Sequence, residues 1–472
     1  MKSFSAILLA LLVCSAAAAH SKDEWRSRTI YQVLTDRFAK TNGDTSPCGN
    51  LGNYCGGTFR GLMNNLDYIQ GMGFDAIWVS PIVKNTDGGY HGYWAKDLYS
   101  LNENFGSEQD FRDLVSEMHK RGMWIMVDVV ANHMGPVGMD FSGINPFNRG
   151  EHYHNPCQIS DQDFQTHNQH NIEYCRLADL PDLNQQDGGW VKDTLLSWIK
   201  DLVQKYDIDG IRIDTIPEVG KSFWKDFNNA AGCYAVGECF DGSTDYVANY
   251  QHDGLDGLLN YPIYFTIKSA FVEGQSMRNF HSAIEYGKTK FADVSLLGDF
   301  VDNHDNARFL NMNGDHRQFK SALTFAILNR GIPIVYYGSE QGYAGGNDPN
   351  NREQLWTNMD KSHPLYSHIA TVVGARKQFQ VWNHDHVERY VDDDFYAWSR
   401  GNLVAAVTNR PDQTVTRGVT YHPFKEGQTV CNVFYPSDCT TISGGTLNVV
   451  LKNGESKIYV DKSQVSLGTV TY

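Results

Sequence analysis

Hydrophobic positions recur along the chain as short, nearly continuous apolar runs bounded by Gly, Pro or Asn, with amphipathic stretches between them. Runs at 29–34, 76–79 and 124–130 lack the strict alternation of a strand with one wet face. They read as strands buried on both sides, as in a parallel sheet. The segments 62–72, 108–121 (closed by Gly122), 190–206 and 221–231 repeat apolar residues at helical spacing. Further strands are predicted at 210–213, 234–238, 257–259, 296–301 and 331–337, the last after a helix near 319–328. Eight strands separated by helices imply a closed (β/α)8 TIM barrel.

Two departures from this rhythm divide the chain. From His133 to about Gln186, Gly, Pro, Asn, Asp and His dominate, and so long an irregular segment reads as a functional insertion after the third strand. Beyond residue 378 short alternating runs at 396–398, 403–407, 446–450 and 457–460 predict a C-terminal antiparallel β-sandwich. The expected organisation is a barrel over 20–132 and 187–378, an inserted domain over 133–186 and a sandwich over 379–472. Residues 1–19 pair a positive start with a short apolar core and small residues before His20, the pattern of a secretory signal peptide.

Composition narrows the function. The 472 residues carry a net charge of −15, which argues against nucleic-acid and anionic-membrane partners, since both call for clustered Lys and Arg. A neutral polar substrate fits better, and the 12% aromatic content leaves rings able to stack on sugars. Eight of nine cysteines follow the signal segment, an even number suited to an oxidising compartment. Local spacing points to Cys48–Cys55, Cys157–Cys175, Cys233–Cys239 and Cys431–Cys439. No Asn-x-Ser/Thr sequon occurs.

The chemistry is carried by acids at strand ends. Asp214 closes the apolar run 210–213, where a barrel opens its loops around a common axis, and Arg212 projects from the same face two residues earlier. Taken alone this reads more readily as a structural Asp–Arg pair at a strand end. Glu238 and Asp305 stand at two more strand ends, and a barrel brings all three together. Paired carboxylates are what glycosidic hydrolysis needs, one to attack the anomeric carbon and one, protonated, to release the leaving oxygen. Neither a catalytic-metal cluster nor the Gly-x-Ser-x-Gly turn of a serine hydrolase is present.

The runs Asp128-Val129-Val130-Ala131-Asn132-His133, 210–215, Gly237-Glu238 and 300–306, with 180–184 and 331–341, resemble in order the motifs of the α-amylase family, glycoside hydrolase family 13, in its secreted fungal branch. The resemblance implies that Asp214 is the nucleophile, Glu238 the general acid/base and Asp305 the group that steadies the distorted sugar. It places Arg212, His133 and His304 around the cleaved sugar, Tyr93 as a stacking platform with His91 and Trp94 beside it, and Asp348 with Arg352 further along the cleft. It implies a structural Ca2+ held by Asn132, Glu173, Asp182 and the backbone carbonyl of Glu218. The implied partners are starch, glycogen and maltooligosaccharides, acted on by a monomer.

One departure from the fungal pattern stands out. Lys-His is usual where this chain has Pro217-Glu218, on the leaving-group side, so a shifted product pattern, including maltose formation, is expected. The alternatives are a maltodextrin hydrolase or transglycosylase built on the same acids, and a catalytically silent homologue. Retention of all three acids argues against the last.

Overall fold

Eight short strands frame the molecule: β1 (Ile30–Val33), β2 (Ala76–Val79), β3 (Trp124–Val129), β4 (Gly210–Ile213), β5 (Tyr234–Gly237), β6 (Gly257–Leu258), β7 (Gly298–Asp299) and β8 (Ile332–Tyr336). The structure is a computed structural model describing residues 20–186 and 189–467, so the expected signal peptide at 1–19 lies outside the described residues. The strands lie in the order β6-β5-β4-β3-β2-β1-β8-β7, every pairing parallel. A parallel bridge between Leu259 and Gly298 joins the two ends of the sheet. This is the (β/α)8 barrel that the apolar runs predict.

The pleat explains how the barrel can be closed at one end and reactive at the other. Alternate residues point inward, so Ile30 shares a row with Gln32, Met126 with Asp128 and Gly210 with Arg212. At the amino end the rows are apolar and Trp25 plugs the interior, packed on Trp124 and Tyr234 with ring centroids 5.3 Å away in each case. Its Nε1 donates to the Asp209 carbonyl at 3.2 Å. Gly210 is required there, because a Cβ would lie 2.6 Å from the Trp25 ring. Toward the carboxyl ends the same rows turn polar. That gradient directs the chemistry to one mouth of the barrel.

Helices wrap the strands. In α1 (Glu108–Lys120) Ser107 and Asp110 form a reciprocal cap, Asp110 N donating to Ser107 Oγ at 3.1 Å and Ser107 N to Asp110 Oδ2 at 2.9 Å. Phe111, Leu114, Val115 and Met118 face the core. α2 (Gly189–Tyr206), α3 (His316–Leu328) and α4 (Pro364–Gln378) do the same elsewhere. The helix expected at 62–72 is instead two, Phe59–Asn64 and Leu66–Gln70. Asn65 breaks it by donating Nδ2 to the Gly61 carbonyl at 2.8 Å, the local competition with backbone that Asn favours. The strand expected at 296–301 shrinks to Gly298–Asp299, because Asp293 draws 294–296 into a 3-10 turn, accepting from Ser295 N at 2.9 Å.

Residues 133–186 leave the barrel between β3 and α2 with two short helices, Asp161–Thr166 and Gln169–Tyr174. After α4 a six-stranded and a two-stranded antiparallel sheet enclose a core that includes Phe395, Val404, Val419, Leu447 and Val449. Disulfides join Cys48–Cys55, Cys157–Cys175 and Cys431–Cys439. The expected Cys233–Cys239 pair does not form: both are free and buried. They bracket β5, and six residues of extended chain span about 20 Å, far beyond the roughly 4.4–6.8 Å that a disulfide bridges between Cα atoms. Among the described residues no helix is long and apolar enough to cross a membrane.

Candidate active site

The carboxyl ends of the strands open into a cleft of about 650 Å3 lined by His91, Tyr93, Trp94, His133, Asp214, Glu218, Glu238, His304, Asp305, Asp348 and Arg352. Backbone ladders set the positions of two acids. Asp214 N donates to the Val129 carbonyl at 3.0 Å and Glu238 N to the Ile213 carbonyl at 2.8 Å, so each acid continues its strand by one rung. Between them Thr215 adopts φ 49°, a left-handed conformation that is costly for a β-branched residue. In that pose its amide donates to Glu238 Oε2 at 3.2 Å and its hydroxyl to Asp214 Oδ2 at 3.2 Å. Asp305 sits on a turn after β7 whose Asn303 Oδ1 accepts from Asp305 N at 3.0 Å.

Arg212 lies beneath the cleft, fully buried. Its Nη1 donates to Asp214 Oδ1 at 2.7 Å and to the two oxygens of Asp128 at 3.0 and 3.1 Å, while Nη2 lies 2.9 Å from Glu238 Oε2. One guanidinium therefore serves three carboxyl groups and cannot hold all of them ionised against burial. Burial, aided by the charges of Asp214 and Asp305, raises Glu238 well above the ordinary carboxylate range despite the opposing pull of Arg212. Asp128 is pushed up to about 7, chiefly by burial. The result is an acid kept protonated beside Asp214, which receives hydrogen bonds from both Arg212 and Thr215.

The rings around these acids form one connected network. Tyr93 O–H reaches Asp128 Oδ2 at 2.6 Å and lies 2.7 Å from His304 Nε2, and its ring is stacked with His304 at 5.3 Å and with His91 at 5.7 Å. Gln32 Nε2 is 2.8 Å from His304 Nδ1, and His133 Nε2 is 3.2 Å from the Tyr93 carbonyl. Burial holds His91, His133 and His304 below their usual pKa, leaving neutral rings suited to hydroxyl groups. Trp94 is hung from Asn85, its amide donating to Oδ1 at 2.8 Å. Further along, Arg352 pairs with Asp348 at 3.0 Å, donates to the His304 carbonyl at 3.0 Å and approaches Asp305 at 3.7 Å.

The expected calcium positions split. One terminal atom of the Asn132 amide lies 3.1 Å from both Asp182 Oδ1 and the Glu218 carbonyl oxygen, and the other 3.1 Å from His133 Nδ1. With its oxygen inward, the amide makes a cluster of three oxygen donors from three separate loops, the donor set of a hard cation. Asn132, Asp182 and the 218 carbonyl therefore fit the ion. Glu173 is set one side chain away: its carboxylate accepts from Gln169 Nε2 at 2.8 Å, and the same amide donates to the Pro217 carbonyl at 2.9 Å. Among the described residues no three His, Cys, Asp or Glu side chains gather as a metal site of their own.

The structure adds residues that the motifs leave without a role. Asp128 anchors Arg212 from inside β3, and its signal was an acid in an otherwise apolar run. Phe240, 53% exposed, lines the cleft two residues past Glu238. His167, from the insertion, stacks on Tyr246 at 3.9 Å and pairs with Asp241 at 2.7 Å, clasping the insertion to the loop after β5. Nothing in the local pattern marks that clasp.

Comparison with known proteins gives a consistent picture. The family described as "Alpha amylase, catalytic domain" matches residues 32–396. "Alpha-amylase 1" of Lipomyces kononenkoae is 45% identical over 392 residues, spanning 79% of this chain and 60% of that relative. "Alpha-amylase 2" of Schwanniomyces occidentalis is 39% identical, over 96% of this chain and 92% of its own. The solved structure of an α-amylase from Malbranchea cinnamomea superposes with a TM-score of 0.90 at 40% identity, covering 95% of this chain and 99% of that one.

Proposed function

The chain belongs to the α-amylase family, and from that premise we propose that its cleft cleaves α-1,4-glucosidic bonds inside starch and glycogen with retention of configuration. The observation that carries this reading is Arg212, which donates to Asp214 and lies 2.9 Å from Glu238 at the same time. A retaining glycosidase needs one ionised and one protonated carboxyl group on either side of the scissile bond. Here burial and neighbouring charge push Glu238 toward its neutral form, while Arg212 and Thr215 support the anion of Asp214.

Asp214 attacks the anomeric carbon as Glu238 passes its proton to the leaving oxygen, breaking the C–O bond and leaving a glycosyl ester. Glu238, now a carboxylate, takes a proton from water. The resulting hydroxide attacks the same carbon and releases Asp214. Asp305 faces the ring on which positive charge develops, and the neutral rings of His91, His133 and His304 lie along its hydroxyls, His133 and His304 exchanging their present bonds to Tyr93 for bonds to the sugar. Asn132, Asp182 and the Glu218 carbonyl would hold calcium, with Glu173 close by, and the bound ion would supply a crosslink between the insertion and the loop after β4.

A time course on maltohexaose and soluble starch, with anomers followed by NMR, tests the reading. Short maltooligosaccharides released in the α-configuration are expected. β-Anomers would overturn retention, and products longer than the substrate would favour a transglycosylase. The signal pattern and three disulfides support secretion, and amino-terminal sequencing of protein from the medium should begin at His20. A single-chain mass in solution is expected.

The product pattern follows from Glu218. Its carboxyl lines the cleft with Oε2 buried and without a hydrogen-bond partner, pushed up to about 8 by burial and by the charge of Asp214. A neutral carboxyl there, in place of a cation and a ring, changes the grip on leaving-side sugars, and short products, maltose among them, are expected. Replacing Pro217-Glu218 by Lys-His should change product ratios. Unchanged ratios would refute this.

A further inference from the structure

A second cavity, about 380 Å3, opens between α3, α4 and the turn at Phe434 and Tyr435 in the C-terminal sheets, and it shares no lining residue with the catalytic cleft. Its volume falls within the range of roughly 300–1,000 Å3 typical of ligand sites. Phe434 lies flat on His368, centroids 4.6 Å apart and planes 10° from parallel, which pins the turn. The next residue, Tyr435, is 61% exposed, and its ring makes no stacking contact and its hydroxyl no hydrogen bond among the described residues. Tyr435 thus leaves an aromatic face open beside the cavity.

The rest of the lining is polar without being anion-seeking. Lys320, half-buried, has no ion pair among the described residues, and Ser367 is exposed on the same wall. Arg317 is already shared by Asp315 and Asp412, and Glu455 by Lys457, which also pairs with Asp438. Counting Lys320, these are three cations against four carboxylates, and buried His368 is held neutral. A phosphate or an acidic polymer gains nothing from that balance. A neutral ligand with apolar faces and hydroxyl edges gains on both counts, and a pyranose ring is such a ligand.

We infer that this groove is a second binding site for an α-1,4-glucan chain, with Tyr435 stacked on a glucosyl unit and Lys320, Ser367 and Glu455 taking its hydroxyls. The inference rests on starch being the substrate, because a polymer can occupy a distant site and the cleft together. Holding the polymer there raises the effective concentration of its scissile bonds at the cleft.

Tyr435→Ala tests it through two readouts, adsorption to granular starch and turnover of a short chromogenic maltotrioside that the cleft alone can hold. Adsorption should fall about five- to tenfold, the loss of one stacking contact, with the maltotrioside kcat/KM unchanged. Tyr435→Phe, which keeps the ring, should adsorb nearly as the parent does. Ser367→Trp, filling the groove from an exposed position, should repeat the loss while leaving Tyr435 in place. Unchanged adsorption in Tyr435→Ala and Ser367→Trp would overturn the site, as would equal losses in adsorption and maltotrioside turnover. A parent that binds granules but turns over no maltotrioside would instead count against the catalytic reading, and the adsorption comparison would still decide the groove.

Discussion

Replacing Glu238 by Gln separates what this residue does for the fold from what it does for the reaction. The carboxyl is raised well above its ordinary range by burial and by Asp214 and Asp305, so the neutral form already prevails in the folded protein. A Gln carbonyl can keep both contacts, from Thr215 N at 3.2 Å and from Arg212 Nη2 at 2.9 Å. No buried charge is created or lost. Stability should change by less than about 1 kcal/mol, which moves Tm by less than the roughly 2–4 °C that it would in a domain of 150–250 residues. The reaction, by contrast, loses its proton donor. General acid catalysis is worth about 10²–10⁴-fold, or roughly 3–5.5 kcal/mol of barrier.

The assay compares starch with an α-maltosyl fluoride, whose leaving group departs without a proton. Glu238→Gln should lose the full factor on starch but much less in the first, fluoride-releasing step, read as a burst of fluoride before the glycosyl ester, deprived of its base, turns over slowly. The pH profile supplies the sign: the protonated form is the active one, so parent activity on starch falls as pH rises through the raised pKa of Glu238. That alkaline limb should vanish in the Gln variant. Equal losses on starch and in the fluoride burst, or an unchanged alkaline limb, would show that Glu238 is not the proton donor.

Four further outcomes are expected. Chelating calcium should lower Tm and activity together, and if the ion is normally present at 100 times its dissociation constant the loss is about 2.7 kcal/mol; an apo protein that melts unchanged would remove calcium from the account. Gly210→Ala should destabilise by about 1–3 kcal/mol, read as a lower Tm, because its Cβ would meet the Trp25 ring at 2.6 Å. Cys233 and Cys239 should react with a thiol reagent only after denaturation, and a chain from His20 onward showing no titratable thiol would contradict their free state. His167→Ala, which removes the 2.7 Å pairing with Asp241 and the stack on Tyr246, should raise KM for long maltooligosaccharides more than it lowers kcat on a maltotrioside.

Much of the fold was legible because periodicity is a local property. The runs at 76–79, 124–129 and 210–213 are, apart from Asp128 and Arg212, apolar on both faces, a pattern suited to a strand covered on both sides, and all are barrel strands with every residue buried. Asp214 and Glu238 could be placed at one mouth of the barrel for the same reason, since a parallel sheet puts all its carboxyl ends on one side. Other features depend on partners far away in the chain. Asp128 reads as an oddity in β3 until the parallel pairing of β3 with β4 sets it against Arg212, 84 residues on. Cys233 and Cys239 look like a local pair much as Cys431 and Cys439 do, yet the latter face each other across a hairpin and the former lie at opposite ends of a strand.

The sequence by itself therefore determined the order of strands and helices, the polarity of the barrel mouth and the identity of the acids that reach it, because each depends on backbone period and burial along a few neighbouring residues. Only the tertiary structure decided that one guanidinium would bind three carboxyl groups, that His167 would clasp the insertion to the loop after β5, and that Tyr435 would stand open beside α3 and α4. Those contacts join residues distant in sequence, and their geometry is set by how the closed sheet and its outer layers pack.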